Sequence, residues 1–187
     1  LKLIALYDGE EKYKQGPNGE EKGKNVHRVP TFIFKKEGEE YAQIIESPSN
    51  DLETDLAQIA LGYPSEPNYA AATYMIDLLE NNSKEDRQEN FKMYLNAAYK
   101  LASKSGELNT LGYFYLYSGR TEDAITIFKH NMFFFRHEPN VYDSYAEALA
   151  IGGYTEEAIK YYGKVLELDP DNENALAQIE KLKSNEG

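Results

Sequence analysis

The chain opens with short apolar runs of strand length and passes, near residue 50, to apolar positions spaced three and four apart. Leu1 to Leu6 reads as a strand that stops at Tyr7-Asp8-Gly9, and Glu10 to Asn25 as a charged loop. Val26 to Phe34 reads as a strand opened by a proline, Lys36-Glu37-Gly38-Glu39 as a hairpin turn, and Tyr41 to Glu46 as a second strand. Asp51 to Leu61 predicts an amphipathic helix with Leu52, Leu56 and Ile59 inward, begun by a cap at Ser49, Asn50 or Asp51. Pro67 to Glu80 and Lys84 to Ser103 predict two further helices, carrying Ala70, Tyr74 and Leu78 on the first and Phe91, Tyr94, Leu95, Ala98 and Leu101 on the second. Asn81-Asn82-Ser83 is the turn between them.

Beyond Ser103 the pattern repeats. Gly119 and Gly153 are 34 residues apart, and so are Ala124 and Ala158, Ile125 and Ile159, and Phe128 and Tyr162. Leu111-Gly112 and Tyr145-Ala146 keep the same offset. Small residues at Gly112, Ala146, Ala124 and Ala158 let antiparallel helices approach, and Leu111, Tyr145, Phe128 and Tyr162 fill the space between them. Gly119 and Gly153 end the first helix of each hairpin through a left-handed backbone. Thr121 and Thr155 are candidate caps of the second helices, followed by acids suited to a helix start. Pro170 breaks the last paired helix, and Asp171 to Leu182 predicts a closing amphipathic helix. Spacing and residue choice from Glu107 to Lys183 resemble the tetratricopeptide repeat (TPR) family, whose arrays bind proteins or peptides. Arg136 stands where that pattern expects a proline, and Pro139 comes late, which predicts an irregular junction between the repeats. The helices from Pro67 to Ser103 are expected to form a degenerate third hairpin.

Val29-Pro30-Thr31-Phe32-Ile33-Phe34, the charged glycine turn, a strand with Ile44-Ile45 and a closing helix resemble the C-terminal half of a thioredoxin-like domain. The resemblance implies a cis peptide bond at Pro30 and peptide-binding positions at Val29, Pro30 and Thr31. It also implies that Leu1 to Leu6 and the Pro30 strand flank a sheet position whose strand is missing. A missing N-terminal segment, a second chain or a different pairing must then complete the sheet. The expected fold class is therefore a partial thioredoxin-like α+β portion over residues 1–62, a degenerate TPR-like helical hairpin over 63–105, and two TPR repeats with a capping helix over 106–187.

The formal net charge of −12 argues against a nucleic-acid partner, because an acidic surface repels phosphate. Apolar stretches such as Thr31 to Phe34 and Met132 to Phe135 are too short to insert across a membrane. With no cysteine there is no disulfide, thiolate metal site or cysteine nucleophile in the sequence. The sequence starts at Leu1, which is read as a start partway through a longer polypeptide. The expected setting is a soluble protein of a bacterial cytoplasm or periplasm, the compartment being left open.

Three histidines, His27, His130 and His137, lack a surrounding ligand or nucleophile set and read as packing or surface residues. Asp169 to Glu180 superficially matches a calcium loop, but Asn174 replaces the glycine such a loop needs, and the residues are explained by a helix break and cap. Asn81-Asn82-Ser83 also matches a glycosylation sequon, which matters only in a secretory eukaryote. The resemblance to TPR arrays places Asn109, Tyr113, Leu116, Tyr117, Asp143, Glu147, Ala150 and Ile151 on a concave face. TPR proteins that grip chaperone tails hold a carboxylate with lysine, arginine and asparagine there, whereas Asp143 and Glu147 occupy two of those positions and only Asn109 is retained, so a hydrophobic or basic peptide fits better. The sequence thus offers no catalytic residue, metal ligand or cofactor site. It favours a non-catalytic interaction module with a protein or peptide partner. The alternative is the C-terminal portion of a thioredoxin-like thiol–disulfide oxidoreductase whose Cys-x-x-Cys lies upstream, and a structural subunit of a larger assembly is the third reading.

Overall fold

The computed structural model describes Val26, Arg28, residues 30–63 and residues 68–184. The expected strand at Leu1 to Leu6, together with His27 and Val29, lies outside these residues. Among them the chain forms a small two-stranded sheet followed by a run of helices, in two compact units that divide between Asn81 and Asn82. The division falls in the predicted Asn81-Asn82-Ser83 turn.

In the first unit, β1 (Thr31–Lys36) and β2 (Glu39–Ile45) form an antiparallel hairpin. The turn residues Glu37 and Gly38 have φ of 55° and 93°, the paired positive values of the tight turn that matches strand twist. The first strand starts later than predicted. Pro30 has no N–H to donate, so it contributes only its carbonyl, which accepts from Glu46 N at 2.7 Å, and the ladder begins at Thr31. Ile44 and Ile45 are consecutive and both buried, so both faces of β2 are covered at that end.

Helix α1 (Leu52–Leu61) starts at Asp51, whose side chain accepts from Thr54 N. Its buried face keeps Ile59, as predicted, but not Leu52 or Leu56. Leu52 and Leu56 are 46% and 39% exposed, while Asp55 and Ile59 are buried. Asp55 turns inward because its carboxylate gathers three donors from the preceding loop: Ser49 N at 2.7 Å, Asn50 N at 3.2 Å and Asn50 Nδ2 at 2.9 Å. That anchoring sets the helix rotation and holds the Asp55 carboxyl below its ordinary range, chiefly through the Asn50 side chain. Helix α2 (Ala70–Asn81) buries Ala71, Ala72, Met75, Leu78 and Leu79.

Among its described residues the second unit has helices and the turns between them, and no strand. The predicted helix from Lys84 to Ser103 is broken into α3 (Lys84–Glu89) and α4 (Phe91–Tyr99) at Asn90, whose φ of −99° and ψ of 17° leave the helical region. Asparagine tolerates that break because its side chain bonds locally, here donating to Asp86 Oδ1 at 2.9 Å. Four helices of near-equal length follow: α5 (Ser105–Tyr117), α6 (Thr121–Phe134), α7 (Pro139–Ile151) and α8 (Thr155–Leu168). Helix α9 (Glu173–Ser184) closes the unit against α8.

Ser105, Pro139 and Glu173 open helices 34 residues apart, and Thr121 and Thr155 do the same. The expected irregular junction at Arg136 is therefore absent. Pro139 occupies the first turn of α7, where its missing N–H costs nothing, so its late position is compatible with an unbroken period. Thr121 and Thr155 are first helical residues rather than caps; Arg120 and Tyr154 precede them and make no side-chain capping bond. The closing helix is capped by Asn172, whose Oδ1 accepts from Ala175 N at 3.0 Å, so it begins two residues later than predicted.

Gly119 and Gly153 have φ of 77° and 81°, as predicted. Each is bracketed by a five-residue return bond, Arg120 N to Tyr115 O and Tyr154 N to Leu149 O, both 2.9 Å, which satisfies a carbonyl at the helix end. Gly112 serves a different need. A Cβ there would lie 2.4 Å from Cε1 of Phe128, a fully buried ring. Ala146, Tyr162, Val165 and Ala175 form the equivalent cluster one repeat later.

Gly112→Ala sets a small helix-propensity gain against overpacking of a ring that has nowhere to go, and overpacking prevails. The expected loss is about 1–3 kcal/mol of unfolding free energy. Gly163, inside α8 with nothing within 4 Å of its virtual Cβ, is the control. Gly163→Ala is expected to gain up to about 1 kcal/mol. Urea melts of the two variants should move in opposite directions.

Candidate functional site

The first helices of the two hairpins, α5 and α7, carry the residues assigned to a concave face. Positions 109 and 143, 113 and 147, and 117 and 151 are equivalent in the repeat, so they recur one period apart on the two helices. The structure joins two of them directly. The Tyr113 hydroxyl donates to Glu147 Oε2 at 2.6 Å and lies 3.3 Å from Ser144 Oγ. Tyr113 also stacks on Tyr117, with ring centroids 5.7 Å apart and planes inclined by 24°. Phe128 and Tyr113 meet edge-to-face with ring centroids 5.1 Å apart, which ties the pair to the core at Gly112. Burial first, and the Glu147 acceptor second, push the Tyr113 hydroxyl well above the ordinary phenol range, so it stays a donor.

Asp143 is half-buried, and burial raises its carboxyl above the usual range, against the hydrogen bond it accepts from Asn174 Nδ2 at 2.8 Å. Asn174 lies on α9, so the capping helix contributes to the site, a residue that the sequence reading missed. The register carries its signal, because Asn174 falls on the first turn of the helix that would open a third repeat. Asn109 Oδ1 is buried and receives no hydrogen bond from the protein. Tyr117 and Ile151 are exposed, whereas Leu116 is 5% exposed and belongs to the packed interior. The cluster is an aromatic and carboxylate surface with no lysine or arginine on α5 or α7.

Of the positions taken from the thioredoxin-like resemblance, Val29 lies outside the described residues, and with it the peptide bond to Pro30. Pro30 is exposed at the open end of the hairpin. Thr31 begins β1 and donates through its hydroxyl to Arg28 O at 2.6 Å. Nearby, Arg28 pairs with Glu46 at 3.3 Å and lies over the Tyr69 ring at 4.7 Å, and Tyr69 donates to Glu46. Glu46 has a φ of 61°, a left-handed backbone for a residue with a side chain.

Among the described residues there is no cluster of histidine, cysteine and acidic side chains that could hold a metal ion, and no helix is long and apolar enough to cross a membrane. Asp169 and Asn172, part of the sequence's calcium-loop pattern, instead bond to each other at 3.0 Å in the α8–α9 break. His130 is buried between Phe91 and Phe134, with Nδ1 donating to Thr126 O at 2.8 Å and Nε2 without a protein partner. Burial pulls its pKa down to about 4.

The family model for the tetratricopeptide repeat matches residues 139–172, which cover α7, α8 and the break before α9. No curated protein matches the chain.

The folded pKa of His130 lies below the unfolded value of 6.5, so the unfolded chain binds more protons between the two. The stability that neutral His130 contributes is fully present above pH 6.5 and is lost as pH falls toward 4. The expected loss is on the order of 3 kcal/mol, read as the difference between wild type and His130→Phe in denaturant melts across that range. Parallel pH profiles for the two proteins would remove His130 as the titrating group.

Proposed function

We propose that this chain is a non-catalytic protein–protein interaction module whose second unit binds a segment of a partner protein on the face formed by α5 and α7. The observation that carries this is the constant 34-residue register of α5 through α9, with the tetratricopeptide match inside it. A repeat of this kind places chemically varied side chains at equivalent positions on successive helices, and an extended segment can read them in turn. Asn109, Tyr113, Tyr117, Asp143, Glu147 and Ile151 are the binding positions, with Leu116 supporting them from the interior.

A second reading rests on the first unit. The antiparallel hairpin followed by α1 supports a thioredoxin-like segment, and Val29, Pro30 and Thr31 would then present backbone to an extended peptide. On that reading the chain is the C-terminal portion of a thiol–disulfide oxidoreductase. Its redox cysteines would have to come from outside this sequence, which has none. Insulin reduction by the full natural polypeptide separates the two readings, since a scaffold leaves insulin oxidised.

The interaction reading is tested with a peptide array probed by the intact chain and by Tyr113→Ala/Asp143→Lys. Losing the stacked ring and reversing one charge is expected to weaken bound spots about tenfold, the equivalent of ~1.4 kcal/mol. Capture that survives both changes undiminished would rule out this face.

A further inference from the structure

We infer that the α5–α7 face takes an arginine side chain from an extended segment of a partner protein, the guanidinium pairing with Asp143 and Glu147 and stacking on the Tyr113–Tyr117 pair. The inference rests on the interaction reading above and names the chemistry of its partner.

Charge on this face is one-sided. Helices α5 and α7 carry Glu107, Asp143 and Glu147 and no basic residue. Neither Asp143 nor Glu147 takes part in an ion pair among the described residues, whereas Glu46, Glu122, Asp123 and Glu167 do. Asp143 and Glu147 are left with neutral donors only, the Asn174 amide and the Tyr113 hydroxyl. They are one helical turn apart on α7, on the same side of the helix. Asp143 is half-buried, and a carboxylate withdrawn from water without a cation is left at an unfavourable energy that an arriving positive group relieves.

Asn109 Oδ1, at the equivalent position on α5, is a buried acceptor with no donor, so it asks for an N–H as well. Two carboxylates one turn apart on α7 therefore stand with a stacked tyrosine pair on α5, and the amide oxygen of Asn109 sits at the repeat-equivalent position of Asp143. A guanidinium suits this set. It is planar, carries five N–H donors, and lies flat on aromatic rings, and it gives up water more readily than an ammonium group. The exposed Ile151 and Tyr117 suit an apolar residue beside the arginine.

The test is an arrayed library of random-sequence nonapeptides probed with the intact chain and with Asp143→Asn/Glu147→Gln. Those changes preserve the hydrogen bonds to Asn174 and Tyr113, and a thermal melt checks the fold. Wild type is expected to select peptides at least threefold enriched in arginine over both the library and lysine, and the double variant to lose that enrichment. Selection of apolar or acidic peptides, or equal enrichment of lysine, would overturn the arginine assignment while leaving a binding face in place. No selected peptide at all would overturn the interaction reading too. Arginine enrichment retained by the double variant would move the contact away from these carboxylates. Should that variant melt early, salt decides. Binding of the selected peptides should weaken about tenfold between about 0.05 and 0.5 M sodium chloride, and binding that is indifferent to salt would overturn the inference.

Discussion

The close approach of α5 to α6 governs the second unit. At Gly112 the ring of Phe128 occupies the space a side chain would need, so the two helices pack closer there than any other residue would allow. Phe128 in turn packs edge-to-face with Tyr113, and Tyr113 reaches Glu147 on the next first helix. A contact in the middle of one hairpin thereby sets the position of a hydroxyl at the candidate binding face. The following hairpin repeats the solution with Ala146 and Tyr162.

Around that core, polar contacts decide alignment more than they add stability. Arg87 on α3 reaches Asp123 on α6 at 3.1 Å, both side chains being largely covered, and Arg120 closes on the same carboxylate at 2.8 Å. Glu122 collects Lys84 and the Tyr154 hydroxyl, each at 2.7 Å, so one acid joins α3, the start of α6 and the turn before α8. An exposed pair such as Lys84–Glu122 contributes little singly. The shared partners of these contacts fix where the short α3 lies, since α3 buries no residue of its own. In the first unit Asp55 has the matching part, because its three loop donors choose which side of α1 faces inward.

The functional reading follows from what the repeat does with polarity. Its interior positions are filled by the small and aromatic residues that any hairpin of this spacing needs, so they say nothing about a partner. The positions assigned to the face of the first helices hold tyrosines, acids and one asparagine. Burial of Asp143 and Tyr113 together with an unanswered Asn109 acceptor makes this a surface of hydrogen-bond acceptors, not a neutral apolar groove.

The sequence by itself determined the helical array. A fixed period with small and bulky residues at matching offsets admits few packings, and the left-handed glycines at 119 and 153 could be read directly because φ above zero is a local property of the backbone. The hairpin turn at Glu37-Gly38 and the helix from Leu52 were legible for the same local reason. What only the tertiary structure decided were the features that depend on distant partners. Helix α1 turns Asp55 inward instead of Leu52 and Leu56, because buried hydrogen bonds to its own loop outweigh the apolar stripe. Asn90 interrupts a helix that periodicity alone carries through, and the predicted threonine caps yield to Arg120 and Tyr154. Leu116 withdraws into the core, while Asn174 arrives from α9 to hold Asp143. Periodicity tells which side of a helix a residue lies on. Which neighbour meets it there depends on how the helices pack, and that is a property of the assembled fold.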